Sequence, residues 1–178
     1  MRIATLSADE VSLIAQIDRA EHVDIEYCVV DGRLTERPPT ITEVPNWDQD
    51  GSGPHSVADK ITFCATVIAE GGTFLGAFDD DSVAGLAIVD PTFDAGLAWL
   101  AFLHVSRPFR RRGAARSLWN EAIGCARADG AHSIYVSATP TGSAVGFYLA
   151  QGCQLADPVH SKLFALEPDD IHLVCRVR

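Results

Sequence analysis

The sequence predicts a mixed α/β fold in which a mostly antiparallel central sheet is flanked by helices. Three β-rich runs follow one another between Phe74 and Val105 with no helix between them, which predicts an antiparallel meander. Helical and β-rich segments then alternate from Ala114 onward, as they do where helices pack on a sheet. With 178 residues, of which 47% are hydrophobic, the chain suits one globular domain over 1–178.

The N-terminal residues predict a short strand and then a helix. Arg2–Leu6 is β-like in composition. Ser7, with Glu10 three residues later, forms a capping box at the start of the helix. The apolar residues that follow give this helix a stripe facing the core.

Residues 25–56 predict a strand followed by an arm. The β-like run 25–30 closes on Asp31-Gly32, a turn signal. The segment 33–56 is rich in proline and holds too few apolar residues for a core of its own. We therefore expect an extended arm or long loop, attached to the body of the protein through Trp47.

Residues 57–105 predict one helix and three strands. The helix covers Val57–Ala69 and ends at Gly71-Gly72. The strands cover 74–78, 83–89 and 97–105. The first two are joined by three aspartates, 79–81, whose side chains point in different directions in a strand turn. We interpret them as a solvated hairpin turn and not as a metal site.

The C-terminal part predicts two more helices and further strands. The helices cover 114 to about 128 and 142–150, and a strand covers 132–137. The last two segments, 159–166 and 171–177, predict a hairpin around Pro168. Residues 161–166 also suit a short helix.

The charge distribution indicates a small anionic ligand. The net charge is −10, but the segment 107–116 carries five arginines and no acid, which leaves −15 for the rest of the chain. Nucleic acid binding would need a broad basic face, so it ranks third among our interpretations and we expect no nucleic acid partner.

The cysteines and the N-terminus indicate a cytoplasmic protein. The five cysteines lack Cys-x-x-Cys and zinc-type spacing, which predicts free thiols in a reducing compartment and no metal. The first residues have no apolar signal core, and no apolar run approaches the length of a membrane span. We therefore expect no membrane partner.

The junction between the strand 97–105 and the helix at 114 carries the strongest functional signal. Residues 109–115 read FRRRGAA. A helix start presents unpaired N–H groups and the positive end of the helix dipole. Gly113 lets an anion approach this backbone closely, and the arginines add cationic donors. The junction is predicted to bind phosphate.

This junction resembles the (Arg/Gln)-x-x-Gly-x-(Gly/Ala) acyl-CoA pyrophosphate loop of the GNAT superfamily of N-acetyltransferases. The match falls on Arg110, Gly113 and Ala115. Residues 141–153 resemble the second family signature, Asn-x-x-Ala-x-x-Phe-Tyr-x-x-x-Gly-Phe. The matching residues are Ala144, Phe147, Tyr148 and Gly152, while Thr141 replaces the asparagine and Cys153 the last phenylalanine.

The resemblance implies a GNAT-like fold and an acyl-CoA-dependent N-acyltransferase. Acetyl-CoA would be the cosubstrate, and the acetyl group would pass to a primary amine by direct attack in a ternary complex. The acceptor would be a small-molecule or peptide amine, and the acids of the first helix and the arm suggest a cationic one. A homodimer is left open.

The resemblance also assigns site residues. Tyr148 would be the general acid that protonates the departing thiolate. Backbone groups of the strand near Leu103 and Val105 would bind the pantetheine arm and polarise the thioester. The full set of expected cofactor-binding residues is Leu103, Val105, Arg110, Arg111, Arg112, Gly113, Ala114, Ala115, Thr141, Ala144 and Phe147.

The sequence does not identify a general base. Family members with a base on this strand carry it at the positions of Trp99 and Ala101, neither of which can accept a proton. His104 titrates in the right range and is a candidate catalytic residue, but strand alternation points it away unless a bulge re-aims it. Water relayed by a more distant carboxylate is an alternative, with candidates Asp24, Glu26 and Asp90.

The missing base keeps a different class of function open. A non-catalytic acyl-CoA-binding module or sensor with the same fold would bind the thioester without turnover.

Overall fold

The structure, a computed structural model, describes residues 1–177. Its strands are β1 (Arg2–Leu6), β2 (Glu21–His22), β3 (Glu26–Val30), β4 (Arg33–Arg37), β5 (Glu43–Val44), β6 (Thr73–Asp79), β7 (Ser82–Asp94), β8 (Leu97–Val105), β9 (Ser133–Ala138), β10 (Gln154–Leu155) and β11 (Ile171–Arg176). Its α-helices are α1 (Val57–Ala69), α2 (Ala114–Ala128), α3 (Gly142–Ala150) and α4 (Ser161–Leu166). Two 3-10 helices cover Ala8–Gln16 and Arg107–Phe109.

A seven-stranded sheet in the order β1-β6-β7-β8-β9-β11-β10 forms the centre of the protein. Strands β8 and β9 run parallel, and every other neighbouring pair in this sheet is antiparallel. The predicted meander is β6-β7-β8, with Asp79 paired to Ser82 across a two-residue turn. The predicted mixed, mostly antiparallel sheet is confirmed.

Helices cover both faces of the sheet. The α2 face packs α2 and α3 against buried residues that include Leu100, Leu118 and Val136. The α1 face packs α1, the N-terminal 3-10 helix and α4 against a second buried cluster that includes Phe74 and Trp99. Since each fully buried apolar side chain contributes about 1.5–3 kcal/mol, these two layers hold the sheet rigidly between them.

The predicted helix starts are present. Glu10 Oε2 accepts a hydrogen bond of 2.8 Å from the Ser7 N–H, although the turn that follows is 3-10 and not α-helical. Ser56 caps α1, since its Oγ accepts a 3.1 Å hydrogen bond from the Asp59 N–H. These contacts satisfy N–H groups that a helix start otherwise leaves unpaired.

The arm begins later than the sequence predicts. Strand β4 pairs with β3 around the predicted turn, in which Asp31 and Gly32 have φ of 49° and 72°. A turn with positive φ at both positions matches the twist of paired strands, so residues 33–37 are drawn into a hairpin. Trp47 is 3% exposed and lies on the α1 face, which confirms its predicted attachment to the body.

The segment 159–166 is not a strand. Residues 161–166 form α4, and Leu163 on this helix is fully buried. Strand β11 instead pairs with β9 and with the two-residue strand β10, which the sequence did not predict. Because both edges of β11 are occupied, the segment has no strand to pair with there, and the helical alternative is correct.

Three further features concern the described part of the chain as a whole. No helix within residues 1–177 is long and apolar enough to span a bilayer. The same residues contain no group of three or more His, Cys, Asp or Glu side chains arranged to hold a metal ion. All five cysteines are free, and Cys64, Cys153 and Cys175 are buried.

Candidate functional site

Strands β8 and β9 part from each other and open a wedge in the sheet. They pair from Leu97 opposite Ser133 to Leu100 opposite Val136, and no further. Strand β8 continues to Val105 and β9 to Ala138. We use "the wedge" for the gap between residues 101–105 and 137–138.

Backbone groups of β8 face the wedge. The Ser106 N–H donates to the Ala84 carbonyl at 2.9 Å, which makes these two residues a hydrogen-bonded pair of the β7-β8 ladder. Hydrogen-bonded pairs alternate along an antiparallel ladder, so Leu103 and Val105 direct their N–H and C=O groups away from β7. The predicted position of these backbone groups thus follows from the register.

A β-bulge at Ala101 reverses the direction of the side chains that follow it. Ile88 lies opposite Phe102, but Val89 lies opposite Leu100, so Ala101 is an extra residue in β8. Phe102 therefore joins Trp99 on the α1 face. His104 follows, with its ring 4.7 Å from that of Phe102. Simple alternation, which points His104 away from this face, is overridden.

The environment of His104 keeps its ring neutral. Burial lowers the pKa of His104 to about 3, and the charges of Arg19, Lys60 and Arg110 lower it further. An alkylammonium of pKa about 10.4 lies some seven units higher, so passing its proton to this ring would cost about 10 kcal/mol. As a proton acceptor His104 is therefore weak.

The loop before α2 is shaped for an anion. Arg111 and Gly113 both adopt positive φ, 63° and 90°, just before the helix begins at Ala114. Within residues 1–177, the backbone N–H groups of 114–116 have no carbonyl acceptor. The side chains of Arg111, Arg112 and Arg116 are exposed beside them. Open N–H groups with nearby cations are the features that anion sites at helix starts share.

Arg110 has a different role from the one predicted. Its guanidinium donates to three backbone carbonyls, those of Val105 at 3.2 Å, Arg19 at 2.9 Å and Ala20 at 2.9 Å. The side chain is therefore directed at the protein's own backbone. At an anion site, Arg110 would fix the shape of the loop before α2. Its guanidinium would not bind the anion, because three backbone carbonyls already occupy it.

Arg112 lies at the outer side of this loop. Its guanidinium is 4.0 Å from the Asp79 carboxylate and 5.8 Å from the centre of the Phe109 ring. Exposed ion pairs of this kind contribute little to stability, about 0–1 kcal/mol. The side chain is therefore available to a phosphate.

Helix α3 presents the second predicted motif. Thr141 is buried, and its Oγ1 accepts a 3.4 Å hydrogen bond from the Ala144 N–H, so this hydroxyl caps the helix. Phe147 is half-buried, with its ring edge-on to Trp119 at 6.4 Å. The threonine that replaces the family asparagine thus has a structural role at the helix start.

Tyr148 is buried on the α2 face with its ring 5.7 Å from that of Trp119. Burial raises the pKa of Tyr148 far above its ordinary value, and Cys153, Asp170 and Glu167 raise it further. The hydroxyl is therefore protonated at neutral pH, as a general acid must be. The two carboxylates that raise this pKa, Asp170 and Glu167, follow helix α4 in the chain.

These two carboxylates were not identified from the sequence. They lie in the turn between α4 and β11, where the Asp170 N–H donates to the Glu167 carbonyl at 3.2 Å. Burial raises the pKa of Asp170 to about 7, and the charges of Glu167 and Asp169 raise it further. Burial also raises the pKa of Glu167. Their only sequence signal is the turn around Pro168, which is common on protein surfaces.

Lys60 on α1 acts electrostatically on three other ionisable groups. Its charge lowers the pKa of His104, Glu167 and Asp170. Its side chain is 29% exposed. A single lysine thus acts on residues of β8 and of the α4-β11 turn.

The carboxylates named from the sequence lie in other surroundings. Glu26 pairs with Arg37 and accepts from the Thr40 N–H, and these contacts lower its pKa to about 2. Asp24 is exposed beside His22. Asp90 lies opposite Trp99, about 20 Å along β8 from Val105. Asp90 is therefore far from the wedge, whereas Glu26 forms a backbone bridge with Thr141 just beyond the end of β9, with its carboxylate occupied by Arg37 and Thr40.

Two surface cavities lie away from the wedge. One, of about 270 Å³, includes Gly96 and Asp129, and the other, of about 390 Å³, includes Tyr135 and His160. Both adjoin the part of the sheet where β8 and β9 are still paired.

A parted strand pair beside an anion-binding helix start is the arrangement of an acetyltransferase, and the sequence comparison agrees. A family model described as the acetyltransferase (GNAT) family matches residues 41–153. The chain belongs to the GNAT acetyltransferase family. A search of curated protein sequences finds no match.

Several solved structures are similar to the whole chain. A nourseothricin acetyltransferase is 18% identical, with a TM-score of 0.71 and coverage of 99% of this chain and 98% of that one. A Bacillus anthracis protein described as a streptothricin acetyltransferase, in complex with acetyl coenzyme A, is 14% identical, with a TM-score of 0.69 and coverage of 97% and 95%. The ribosomal-protein-S18-alanine N-acetyltransferase of Escherichia coli is 15% identical, with a TM-score of 0.62 and coverage of 99% and 93%. At these identities the likeness shows the fold.

Proposed function

We propose that the protein is an acetyl-CoA-dependent N-acetyltransferase, formed by residues 1–178 as one domain, that acetylates a cationic amine on a small molecule or peptide. The wedge carries the proposal, because the backbone groups of Leu103 and Val105 face it and their side chains pack against the buried cluster that contains Tyr148. With both substrates bound, the acceptor amine would attack the thioester directly, and no acyl-enzyme would form.

The anion-binding loop would hold the pyrophosphate of the cosubstrate. The N–H groups of Gly113, Ala114 and Ala115 and the side chains of Arg111 and Arg112 are its donors. Charge-assisted hydrogen bonds contribute about 1.5–3 kcal/mol each, so a few of them, with burial of the pantetheine arm, reach the roughly 8 kcal/mol of a micromolar complex. Ala144 and Phe147 on α3 would line the path of that arm.

The chemical step would use backbone and one side chain. The N–H of Leu103 would donate to the thioester oxygen, a contact that contributes about 2.7–4 kcal/mol where charge develops in the transition state. As the new N–C bond forms and the C–S bond breaks, the thiolate would take the proton of the Tyr148 hydroxyl. Surroundings that raise the pKa of this phenol also raise that of a thiol, which keeps the transfer near balance.

The acceptor class is proposed from charge. Glu167 and Asp170 lie in the turn next to the end of β9, and a carboxylate there favours an ammonium when it is ionised. One of the similar structures is named a nourseothricin acetyltransferase and another a streptothricin acetyltransferase. Nourseothricin is therefore the first acceptor to test, followed by spermidine, kanamycin and a peptide with an N-terminal alanine.

The test is a calorimetric titration of acetyl-CoA into the wild type and two matched variants. Gly113→Asp brings a negative charge to the anion site. Gly130→Asp is its control, since φ at Gly130 is 81° and an added Cβ meets nothing within 4 Å, as at Gly113 with φ of 90°. We expect binding near the micromolar range that Gly113→Asp abolishes and Gly130→Asp keeps.

Mass spectrometry of the four acceptors completes the test. An acetylated amine supports the proposal. Binding of acetyl-CoA without acetylation of any amine would instead identify an acyl-CoA-binding module or sensor. No binding by the folded wild type would contradict both functions.

A further inference from the structure

We propose that Asp170 is the general base that takes the proton of the acceptor ammonium, with Glu167 and Lys60 setting its charge state. The inference rests on the proposed function, since it names the base of that reaction. It concerns a turn that neither family motif includes.

The position of Asp170 is fixed by β11. Ile171, the next residue, pairs with Ala138, the last residue of β9, so the turn lies at the end of the sheet where the wedge opens. Inside the turn, the Glu167 carbonyl accepts from the Asp170 N–H at 3.2 Å and from the His172 Nε2–H at 3.0 Å. Two hydrogen bonds to one carbonyl hold the turn in a single shape.

The charge of Asp170 is felt on both faces of the sheet. It raises the pKa of Tyr148, which belongs to the α2 face. Lys60 on α1, which packs on the opposite face, in turn lowers the pKa of Asp170. The Asp170 carboxylate thus interacts electrostatically with one group on each face, while its place at the end of β9 comes from the pairing of Ile171 with Ala138.

Burial and neighbouring charges give Asp170 a pKa that suits a general base. Burial is the main cause of its pKa of about 7, the carboxylates of Glu167 and Asp169 add to it, and Lys60 opposes them. Two further ionisable groups belong to this region: Tyr148, which is protonated, and His172, whose pKa is lowered by burial. A base works best with a pKa near the working pH. The gap to an alkylammonium is about three units here, against about seven for His104.

The α1 face also contains an unused hydrogen-bond donor. Trp47 is 3% exposed, and its indole N–H has no partner among residues 1–177. Its ring lies 4.9 Å from that of His104. A buried donor without a partner is costly, and a polar acceptor molecule on this face would satisfy it.

The proton balance is complete with these groups. Asp170 takes one proton from the ammonium, and the neutral amine attacks the thioester carbon. The N–C bond forms, the C–S bond breaks, and the thiolate takes the Tyr148 proton. The second proton lost by the nitrogen restores Tyr148, while Asp170 releases its proton to solvent. The products are the amide, CoA and one proton.

The experiment compares Asp170→Asn with Asp169→Asn, its exposed neighbour. Steady-state rates are measured from pH 5.5 to 9.5 with acetyl-CoA and the acceptor of the four that the wild type acetylates fastest. We expect kcat of Asp170→Asn to fall at least tenfold at pH 7, with acetyl-CoA affinity within twofold of the wild type and the deficit shrinking toward pH 9.5, where the amine loses its proton unaided. Asp170→Glu should restore part of the rate. Asp169→Asn should keep the rate and the rise of kcat with pH, moved slightly to lower pH because Asp169 raises the pKa of Asp170.

Two results overturn the inference and separate it from the proposed function. A folded Asp170→Asn variant with the wild-type rate and pH profile excludes Asp170 as base and leaves the acetyltransferase intact. If the wild type binds acetyl-CoA but acetylates none of the four amines, the proposed N-acetyltransferase function is contradicted. The role of Asp170 as the base of that reaction is then contradicted with it.

Discussion

The guanidinium of Arg110 donates a 2.9 Å hydrogen bond to the carbonyl oxygen of Ala20, ninety residues earlier in the chain. The neighbouring Arg107 N–H donates to the Asp18 carbonyl at 2.8 Å. Through these contacts the anion-binding loop and the segment after the N-terminal 3-10 helix form one unit.

The first prediction is that Arg110→Ala destabilises the fold. It removes three hydrogen bonds from a charged donor to backbone carbonyls, so the free energy of unfolding should fall by about 2–4 kcal/mol. Denaturant unfolding measures this. Arg111→Ala, which removes an exposed arginine from the same loop, should change stability by less than about 0.5 kcal/mol. Equal stability of the two variants would contradict the structural role of Arg110.

The second prediction concerns Tyr148→Phe. The variant keeps the ring packed on Trp119 and loses only the hydroxyl. If this hydroxyl protonates the thiolate, kcat should fall by about 10²-fold or more, with acetyl-CoA affinity unchanged. Tyr135→Phe is the control, because the Tyr135 hydroxyl accepts from the His160 N–H on the other face. Unchanged kcat in Tyr148→Phe would remove this residue from the mechanism.

The third prediction concerns Lys60→Met and the pH profile. Lys60 lowers the pKa of Asp170, so Lys60→Met should raise that pKa. The rising limb of the pH profile, over which kcat increases as the base loses its proton, should then move to higher pH. The rate at pH 7 then falls while the rate at pH 9 is kept. Lys162→Met, which changes the chain's other lysine, should leave the limb in place. A limb that does not move in Lys60→Met would argue against Asp170 as its origin.

The fourth prediction concerns acid stability. The pKa of His104 is about 3 in the folded protein and about 6.5 in the unfolded chain, so between these values only the unfolded chain binds the proton. The stabilisation is complete above about pH 6.5 and is lost as the pH falls toward 3. From pH 7 to 5 it should cost the wild type about 2 kcal/mol.

His104→Gln isolates this effect. Denaturant unfolding at pH 7 and pH 5 should show a smaller loss for His104→Gln than for the wild type. His55→Gln, at an exposed histidine, should follow the wild type. Parallel losses in all three proteins would mean that His104 titrates normally.

The parts of the fold that the sequence predicts are those with local causes. The meander β6-β7-β8 follows from three β-rich runs, and the anion-binding loop from Gly113 between a strand and a helix. The bounds of α1 follow from Ser56 as cap and Gly71-Gly72 as stop. Each depends on residues within a few positions of one another.

The parts that the sequence does not predict depend on distant partners. The bulge at Ala101 is a difference in count between β7 and β8, which neither strand contains alone. Arg110 is diverted from the anion by carbonyls of residues 19 and 20. Asp170 acquires its pKa from burial against elements that pack only in the folded chain. Such features become visible when the tertiary contacts are known.

The gap between the fourth and fifth strands of the sheet has a consequence for protein engineering. A sheet is one polypeptide layer thick, so a molecule lodged in such a gap is reached from above and from below at once. The covers of the two sides share one segment, because residues 21–56 contribute Trp47 to the α1 face and Tyr27 and Leu34 to the α2 face. A chimera that replaces residues 21–56 would therefore change both sides at once, while exchange of Trp47 alone would change one.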